Sequence, residues 1–297
     1  MELQQLRYVL AVAETRNFTR AAEQCFVVQS ALSHQVKALE QELGTALFAR
    51  TSRRVELTAA GAAFLPAART SLEAADRAAA DAAATIGQVR GTLTMGLIPT
   101  VTAVDVPGTL GAFHRAYPAV RISVRSGSSD ELMTAIHRGS VDVAVLGLPE
   151  STRPAGVESR EVARERLVAV LASGHRLARR RRLHLTDLAK ETFADFPAGT
   201  PGRAQSDLAF DAAGISREVT FEATSTDLII ALVQQGLAVA LLPAAFVPSD
   251  PRVVTVTVAD GPTRVEYLAW SSFNPSPATT AFLDRLLTSG AAGPREA

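Results

Sequence analysis

The 297-residue sequence predicts an α/β protein that carries an additional all-α domain at its N-terminus. Three observations lead to this prediction. Residues 1–58 hold short segments with helical periodicity, residues 59–86 are dominated by alanine, and strand-like apolar runs alternate with helical segments from Gly91 onward. A chain of this length can bury two or three separate cores, so more than one domain is expected.

Composition and charge set broad limits on the class of protein. The 30 Lys and Arg residues balance the 30 Asp and Glu residues, so the net charge gives no information about nucleic-acid binding. No apolar run is long enough to span a bilayer and the N-terminus does not resemble a cleavable signal, so we expect a cytoplasmic protein with no membrane partner. The single cysteine, Cys25, cannot form an internal disulfide and is expected to be a small buried hydrophobic residue.

The N-terminal segments predict three short helices. An apolar stripe at helical spacing marks the first helix: Leu3, Leu6, Leu10 and Ala13. Thr19 is expected to cap the second helix, a short turn follows at residues 26–27, and Gly44 is expected to end the third helix as a C-cap. Two short helices joined by a tight turn form the helix-turn-helix pattern.

The third predicted helix has two different faces. Its apolar face consists of Leu32, Val36, Leu39 and Leu43. Its other face consists of Gln29, Ser30, Ser33, His34 and Lys37. All five polar side chains can donate hydrogen bonds, whereas most surface helices expose pairs of Glu and Lys, and only Glu40 adds a negative charge one turn later. An ordinary solvated face is the alternative interpretation.

A small basic wing is predicted after this helix. Arg50, Arg53 and Arg54 surround a turn, and the alternation of Val55 and Leu57 indicates a strand. Residues 1–58 contain seven Lys or Arg and six Asp or Glu, so the cations are clustered rather than numerous. Clustering is what a phosphate-binding surface requires.

The alanine-rich segment predicts one long helix. An apolar seam with a seven-residue pattern runs through Leu65, Ala68, Leu72, Ala75, Ala79, Ala82 and Ile86. The helix is about 40 Å long at 1.5 Å per residue and cannot bury this seam against itself. We therefore predict a dimerisation helix, with a solvated spacer as the alternative, and expect Pro66 to kink it.

Two helix–strand units are predicted in the C-terminal region. Ser128 and Glu131 form a capping box, and Gly139 follows that helix. Thr224 is expected to cap the second helix and Gly236 to end it. Strand-rich segments between and after these units indicate two subdomains, with the chain crossing near residue 162 and returning near residue 266.

Motifs for catalysis or for cofactors are missing from the sequence. It contains no Walker loop, no G-x-S-x-G, no G-x-G-x-x-G and no metal-ligand spacing among its five histidines, so we expect neither an enzyme nor a cofactor. The arginine run at residues 178–184 could be a second nucleic-acid patch, but its polar context favours a solvated loop.

Small polar residues follow several predicted strands and precede several helices. Ligands of open α/β sheets bind at such strand ends, where helix N-termini favour anions. The predicted ligand-site residues are Thr100, Val101, Thr102, Ser128, Ser129, Gly147, Gly199, Thr200, Arg203, Ser225 and Thr226. No carboxylate stands among them and Arg203 is the nearest candidate cation, so a small anionic metabolite fits better than a cation or an amine.

The chain resembles the LysR-type transcriptional regulators along nearly its full length. The most specific part is residues 18–61, where Gln29, the run Ala31-Leu32-Ser33 and the pair Leu43-Gly44 follow the winged helix-turn-helix of that family. The resemblance implies a DNA-binding domain at residues 1–58, a linker and dimerisation helix at 59–89, and an effector-binding domain at 90–297. This last domain would have two lobes like those of periplasmic binding proteins, with lobe I at 90–162 and 267–297 and lobe II at 163–266.

The same resemblance implies partners and roles. Members of this family form homodimers or homotetramers, bind double-stranded DNA, switch transcription when a small effector enters the cleft and are expected to contact RNA polymerase. Gln29 and Ser33 fall on positions used for base contact, and Arg53 falls on the wing. His34 replaces a commoner Arg, and Val28 and Ser30 imply that the usual N-cap is lost or shifted to Ser30.

Two other classes of protein remain as alternatives. One is a cytoplasmic small-molecule binding protein with a helical protein-interaction module, and the other is an enzyme of the α/β region. The polar donor face and the clustered arginines argue against the first, and the lack of a catalytic constellation argues against the second.

Overall fold

The computed structural model describes residues 1–50, 55–273 and 275–288, apart from the side chain of Arg50. The chain divides into two compact units, Met1–Gly87 and Gln88–Ala297. Each unit is described by itself below.

The first unit is a helical domain with a β-hairpin and a long final helix. Its elements are α1 (Leu3–Thr15), α2 (Phe18–Gln24), α3 (Gln29–Leu43), β1 (Phe48–Arg50), β2 (Val55–Leu57) and α4 (Ala59–Ala84). Strands β1 and β2 pair antiparallel. Apolar side chains of α1, α2, α3 and β1 form one core, in which Val9, Val12, Leu32, Val36 and Leu39 are fully buried.

Two details of these helices differ from the sequence prediction. Asn17 caps α2, because its Oδ1 accepts hydrogen bonds from the backbone N–H groups of Thr19 and Arg20 at 2.8 and 3.1 Å. Leu43 lies on the predicted apolar face but is 39% exposed, since it sits in the last turn of α3, beyond the core. Gly44 ends α3 as predicted, with a φ of +70° that suits glycine.

Helix α4 begins in close contact with the chain just before the hairpin. A Cβ atom on Gly61 would lie 2.1 Å from the carbonyl oxygen of Leu47, so only glycine fits there. Thr58 caps the helix by accepting a hydrogen bond from Gly61 N–H at 3.0 Å. Its hydroxyl also donates to the carbonyl oxygen of Ala46 at 2.7 Å. These contacts fix the start of the long helix against the hairpin.

The first lobe of the second unit is built around a five-stranded sheet. Its strands are β3 (Gly91–Leu97), β4 (Val120–Ser126), β5 (Val143–Pro149), β6 (Glu158–Arg166) and β13 (Thr263–Trp270), in the order β4-β3-β5-β13-β6. Strands β3, β4 and β5 run parallel, whereas β13 is antiparallel to both of its neighbours. Three helices complete the lobe: α5 (Val106–Ala116), α6 (Ser129–His137) and α10 (Pro277–Thr288).

The second lobe contains the segment between β6 and β13. Its strands are β7 (Val168–Ala172), β8 (Arg182–Leu183), β9 (Thr192–Asp195), β10 (Glu218–Glu222), β11 (Ala240–Leu242) and β12 (Val253–Val258). Four of them form a sheet in the order β11-β7-β12-β8, and β9 pairs with β10 in parallel. Helices α7 (Leu185–Leu188), α8 (Pro201–Ala212) and α9 (Thr226–Gln234) and a 3-10 turn at Ala244–Phe246 connect these strands.

Two adjacent strands carry the chain between the lobes. Strands β6 and β13 pair along their whole length, from Glu158 opposite Trp270 to Arg166 opposite Thr263. The first sheet therefore continues past the predicted crossing points near residues 162 and 266. We place the junction of the lobes at Leu167 and Pro262, where Leu167 N–H donates to the carbonyl oxygen of Pro262 at 2.9 Å.

The helix caps of the second unit agree with the sequence prediction at one helix and differ at the other. Ser128 and Glu131 form the predicted capping box of α6, and the hydrogen bonds from Ser128 lower the pKa of Glu131. Helix α9 is capped by Ser225 and not by Thr224, because Ser225 Oγ accepts from Leu228 N–H at 3.4 Å.

Candidate functional site

The polar face of α3 is open to solvent. Gln29, Ser30, His34 and Lys37 are exposed, and Ser33 is half-buried. Within the described residues, the exposed four make no side-chain hydrogen bond or ion pair. The opposite face is locked into the core through Leu32, Val36 and Leu39, each 0% exposed. The helix therefore presents Gln29, Ser30, His34 and Lys37 to solvent from a backbone that the core holds in place.

The start of α3 adds uncapped backbone donors to this face. Its N-cap residue is Val28, and no side chain caps the helix, so the usual cap is lost and is not shifted to Ser30. The preceding turn places Phe26 at a φ of +56° with 95% of its surface exposed. An uncapped helix N-terminus favours a negatively charged group such as a phosphate.

Glu40 does not place its negative charge on the donor face. Its Oε1 accepts hydrogen bonds from the backbone N–H groups of Leu47 and Phe48 at 2.9 and 3.1 Å. The carboxylate therefore fixes the start of β1 against α3. The predicted wing is present as the β1–β2 hairpin, but its basic tip, with Arg53 and Arg54, and the side chain of Arg50 lie outside the described residues.

The predicted seam of α4 is covered only at its start within the first unit. Leu65 and Ala68 are 8% and 2% exposed. Further along, Ala79 and Ala82 are exposed and Ile86 is 72% exposed. The second half of the seam thus has an apolar surface that the unit itself does not cover.

Three charged residues lie beneath the predicted ligand loop after β3. Arg264 donates hydrogen bonds to the Thr100 hydroxyl and to the carboxylates of Glu165 and Glu266. The Thr102 hydroxyl lies 2.7 Å from Oε1 of both carboxylates. We call these five residues the junction cluster, because β6 and β13, which lead to the lobe junction, carry its charged members.

The junction cluster also holds the backbone of the loop. Glu266 accepts hydrogen bonds from the N–H groups of Thr102 and Ala103 at 3.0 and 3.1 Å. Arg264 and Glu266 are 2% and 0% exposed, and Thr100 is 5% exposed. Two carboxylates that are not among the predicted ligand residues, those of Glu165 and Glu266, thus lie beside this loop. The sequence alone does not reveal that these carboxylates lie near the loop, because Glu165 and Glu266 are far along the chain from Thr100.

Ser129 and Gly147 belong to the same region. The Ser129 hydroxyl donates to the carbonyl oxygen of Gly147 and accepts from its N–H, both at 3.0 Å. A Cβ atom on Gly147 would lie 2.6 Å from Ile98 and 3.3 Å from Cδ of Arg264. The structure therefore brings Thr100, Ser129 and Gly147 together around Arg264.

Arg203 in the second lobe is not a free cation. Its guanidinium donates to Asp207 at 2.9 Å and to Glu222 at 3.0 Å, so its charge is already paired. Thr200 caps α8, because its hydroxyl accepts from Arg203 N–H at 3.4 Å and donates to the Pro197 carbonyl oxygen at 2.8 Å. Helix α8 also packs against β5 and α6 of the first lobe.

The remaining predicted ligand residues are less closely grouped. Val101 is half-buried, Ser128 is engaged in its capping box, and Gly199 lies exposed with a φ of +79°. Ser225 is occupied as a cap, whereas the Thr226 hydroxyl is buried without a partner among the described residues. No hydrogen bond within the described residues joins Ser225 or Thr226 to the junction cluster.

A second buried ion pair fixes α8 to its own lobe. The Arg217 guanidinium lies 2.8 Å from Asp195 and 2.7 Å from Asp207, and its charge faces the rings of Phe193 and Phe210. Burial raises the pKa of Asp195 to about 6, although Arg217 acts in the opposite direction. Arg217 directly precedes β10, and no local sequence pattern predicts that it pairs with Asp195 and Asp207.

Other sequence candidates have simple structural roles. Arg179, Arg180, Arg181 and Arg182 are exposed, and Arg182 begins the edge strand β8, in keeping with a solvated segment. Cys25 is half-buried beside the helical core, and burial raises the pKa of its thiol. Among the described residues, no group of side chains could hold a metal ion and no helix could cross a membrane.

The fold and the two sites define a class of protein. A winged helix-turn-helix unit with an exposed donor face, followed by a two-lobed α/β unit, is the architecture of a ligand-responsive transcriptional regulator. Two family models match the chain accordingly. One, described as a bacterial regulatory helix-turn-helix protein of the lysR family, matches residues 3–62, and the other, the LysR substrate binding domain, matches residues 87–291.

The chain belongs to the LysR family of transcriptional regulators. It is 34% identical to the transcriptional dual regulator GltC of Bacillus subtilis (strain 168), over 85% of this chain and 84% of GltC. It is 35% identical to the uncharacterized HTH-type transcriptional regulator YnfL of Escherichia coli (strain K12), over 97% and 98% of the two chains. The crystal structure of full-length CbnR with its target DNA matches with a TM-score of 0.74 and 28% identity, over 97% of this chain and all of that one.

Proposed function

We propose that this regulator reads DNA with the donor face of α3 and responds to a small metabolite in the cleft of its second unit. The observation that carries the proposal is the exposed set of Gln29, Ser30, His34 and Lys37, which have no side-chain partner in the described part of the chain, on a helix whose opposite face is buried. The protein would act in the cytoplasm, where its DNA lies, without enzymatic activity, and would influence RNA polymerase at its target promoters.

The chemistry of the donor face suits the major groove. A Gln side chain can form two hydrogen bonds with adenine, Lys can donate to guanine, and Ser can contact either kind of base. The uncapped N-terminus of α3 would meet a phosphate group. Such phosphate contacts position a helix in the groove, whereas contacts with base edges supply sequence specificity.

Replacing Gln29 with Ala should weaken binding to the specific site much more than binding to random DNA. We expect a loss of about 1–3 kcal/mol on the specific site, since one side chain that contacts bases is removed. The dependence of the affinity on salt should stay the same, because no phosphate contact is lost. Fluorescence anisotropy with both duplexes over a range of salt concentrations measures these quantities.

A matched control is available on the same helix. Gln41 is also an exposed glutamine of α3, about 120° around the helix from Gln29. Gln41→Ala should leave both affinities unchanged. Equal losses on specific and random DNA for Gln29→Ala would show that Gln29 does not contact bases.

The effector would bind beside the junction cluster. Thr100, Ser129 and Gly147 meet there, and α8 approaches from the second lobe. The backbone N–H groups at the start of α6 and α8 favour a negatively charged group. A small anionic metabolite therefore remains the proposed class of effector, held by hydroxyl and backbone donors and not by Arg203.

The uncovered half of the α4 seam would join two copies of the chain. Ala79→Glu places a charge in this seam and should produce a smaller assembly in light scattering, because a close helix contact cannot accommodate an unpaired carboxylate. Ala74, which is also exposed but lies about 140° around the helix from Ala79, provides the control Ala74→Glu. An unchanged mass for Ala79→Glu would place the interface elsewhere.

A further inference from the structure

The Thr100 hydroxyl has a fixed hydrogen-bond polarity. Its oxygen accepts a hydrogen bond from Arg264, and a guanidinium group can only donate. Among the described residues, no acceptor is found for the hydroxyl's own proton. The unpaired proton of Thr100 is therefore available to an acceptor that binds beside it, and Arg264 already occupies one of the two acceptor lone pairs of the oxygen.

The charge of Arg264 is neutralised inside the protein. Its Nη2 donates to Glu165 and Glu266 and lies 3.2 Å from the Thr102 hydroxyl. Its Nε is buried without a partner among the described residues, and the whole residue is 2% exposed. The guanidinium therefore acts on a ligand through Thr100 and not by direct ion pairing.

We propose that Arg264 is a positioning residue that makes the effector site select hydrogen-bond acceptors. By holding the Thr100 oxygen, it turns the hydroxyl proton away from the guanidinium, so that a carboxylate oxygen can accept this proton, whereas an ammonium group has no acceptor to offer. This inference rests on the proposed function, because it assumes that the effector contacts Thr100. Glu165 and Glu266 hold Arg264 in place and prevent it from forming its own salt bridge with the ligand.

Matched pairs of small ligands test the inference. Acetate, succinate and benzoate are each compared with the primary amide, which replaces one acceptor oxygen with a donor NH2 group, keeps one carbonyl oxygen and removes the negative charge. The informative quantity is therefore the change in carboxylate preference between protein variants of equal charge. For the wild-type protein, thermal shifts and titrations should give tighter binding of the carboxylate for at least one pair. In the double variant Arg264→Gln/Glu266→Gln, the guanidinium that sets the direction of the hydroxyl is gone, and the carboxylate preference should fall about tenfold.

The double variant keeps the formal charge of the cluster, which is one negative charge both before and after the change. Arg164→Gln/Glu161→Gln makes the same chemical change in an exposed ion pair on β6 and should keep the wild-type preference. Arg264→Lys retains a group that only donates and should also keep the preference. A double variant that keeps the wild-type ratio, or a wild-type protein that prefers the amides or binds no carboxylate, would overturn the inference.

Two further measurements separate the possible failures. A neutron crystal structure of the deuterated wild-type protein should show the Thr100 deuteron pointing away from Arg264, so the inference can be tested even if the double variant does not fold. A deuteron directed at a protein acceptor would contradict it. Retention of duplex DNA by the same samples tests the proposed function separately: a protein that binds DNA but shows no carboxylate preference would refute only the role of Arg264.

Discussion

Replacing Arg264 with Met should destabilise the second unit by about 3–5 kcal/mol, because it leaves Glu165 and the fully buried Glu266 without their cation. The remaining hydrogen bonds to Glu266 from the loop backbone cannot balance a buried charge. Urea unfolding followed by the fluorescence of Trp270, the only tryptophan of the chain and part of β13 itself, measures this free energy.

The control for this change is Arg164→Met. Arg164 pairs with Glu150 and Glu161, but its side chain is 41% exposed, so its loss should change the free energy of unfolding far less than Arg264→Met does. Equal effects of the two substitutions would mean that the junction cluster contributes no more than a surface ion pair.

Replacing Leu39 with Ala should destabilise the DNA-binding unit by about 2–5 kcal/mol. Leu39 is 0% exposed and packs in the core beneath α3, so its removal leaves a cavity. Amide hydrogen exchange of peptides from α1 and α3 reports this loss within the full chain. DNA affinity should fall as the unit begins to unfold, and it should recover at lower temperature, since no DNA contact is removed.

Leu43 provides the control for this prediction. It lies on the same side of α3 one turn later, but it is 39% exposed. Leu43→Ala should therefore change exchange protection by less than about 1 kcal/mol. Similar losses of protection in the two variants would show that the core extends to the end of α3, contrary to the structure.

Local patterns in the sequence were sufficient to predict the DNA-binding unit. The third helix, its buried stripe and its end at Gly44 follow from residue spacing and from the left-handed preference of glycine. The cap of α2 was assigned to Thr19 instead of Asn17, because several adjacent residues are suitable caps and only the backbone geometry distinguishes them. The inward role of Glu40 depends on a tertiary contact with β1 that no local pattern reveals.

The effector region was only partly predictable. Of the residues predicted to contact a ligand, Thr100, Ser129 and Gly147 lie close together around Arg264. Arg203 is predicted as the nearest candidate cation, but its charge is paired with Asp207, four residues along α8, and with Glu222 on β10. The spacing of Arg203 and Asp207 could have revealed the first of these partners. Arg264 and Glu266 occur two positions apart in an otherwise apolar strand, a pattern that places both on one face of a buried sheet. Charged residues at such positions require partners, and this signal could have revealed the cluster.

The DNA that the purified protein retains from its own genome tests the central claim most directly. If the donor face of α3 reads sequence within a dimer, sequencing should recover a small set of fragments that share a motif with two half-sites one helical turn or a multiple of it apart. Gln29→Ala should still bind DNA but lose this enrichment, because the phosphate contacts remain. Fragments without a common motif, or the same enriched set with Gln29→Ala, would contradict this account.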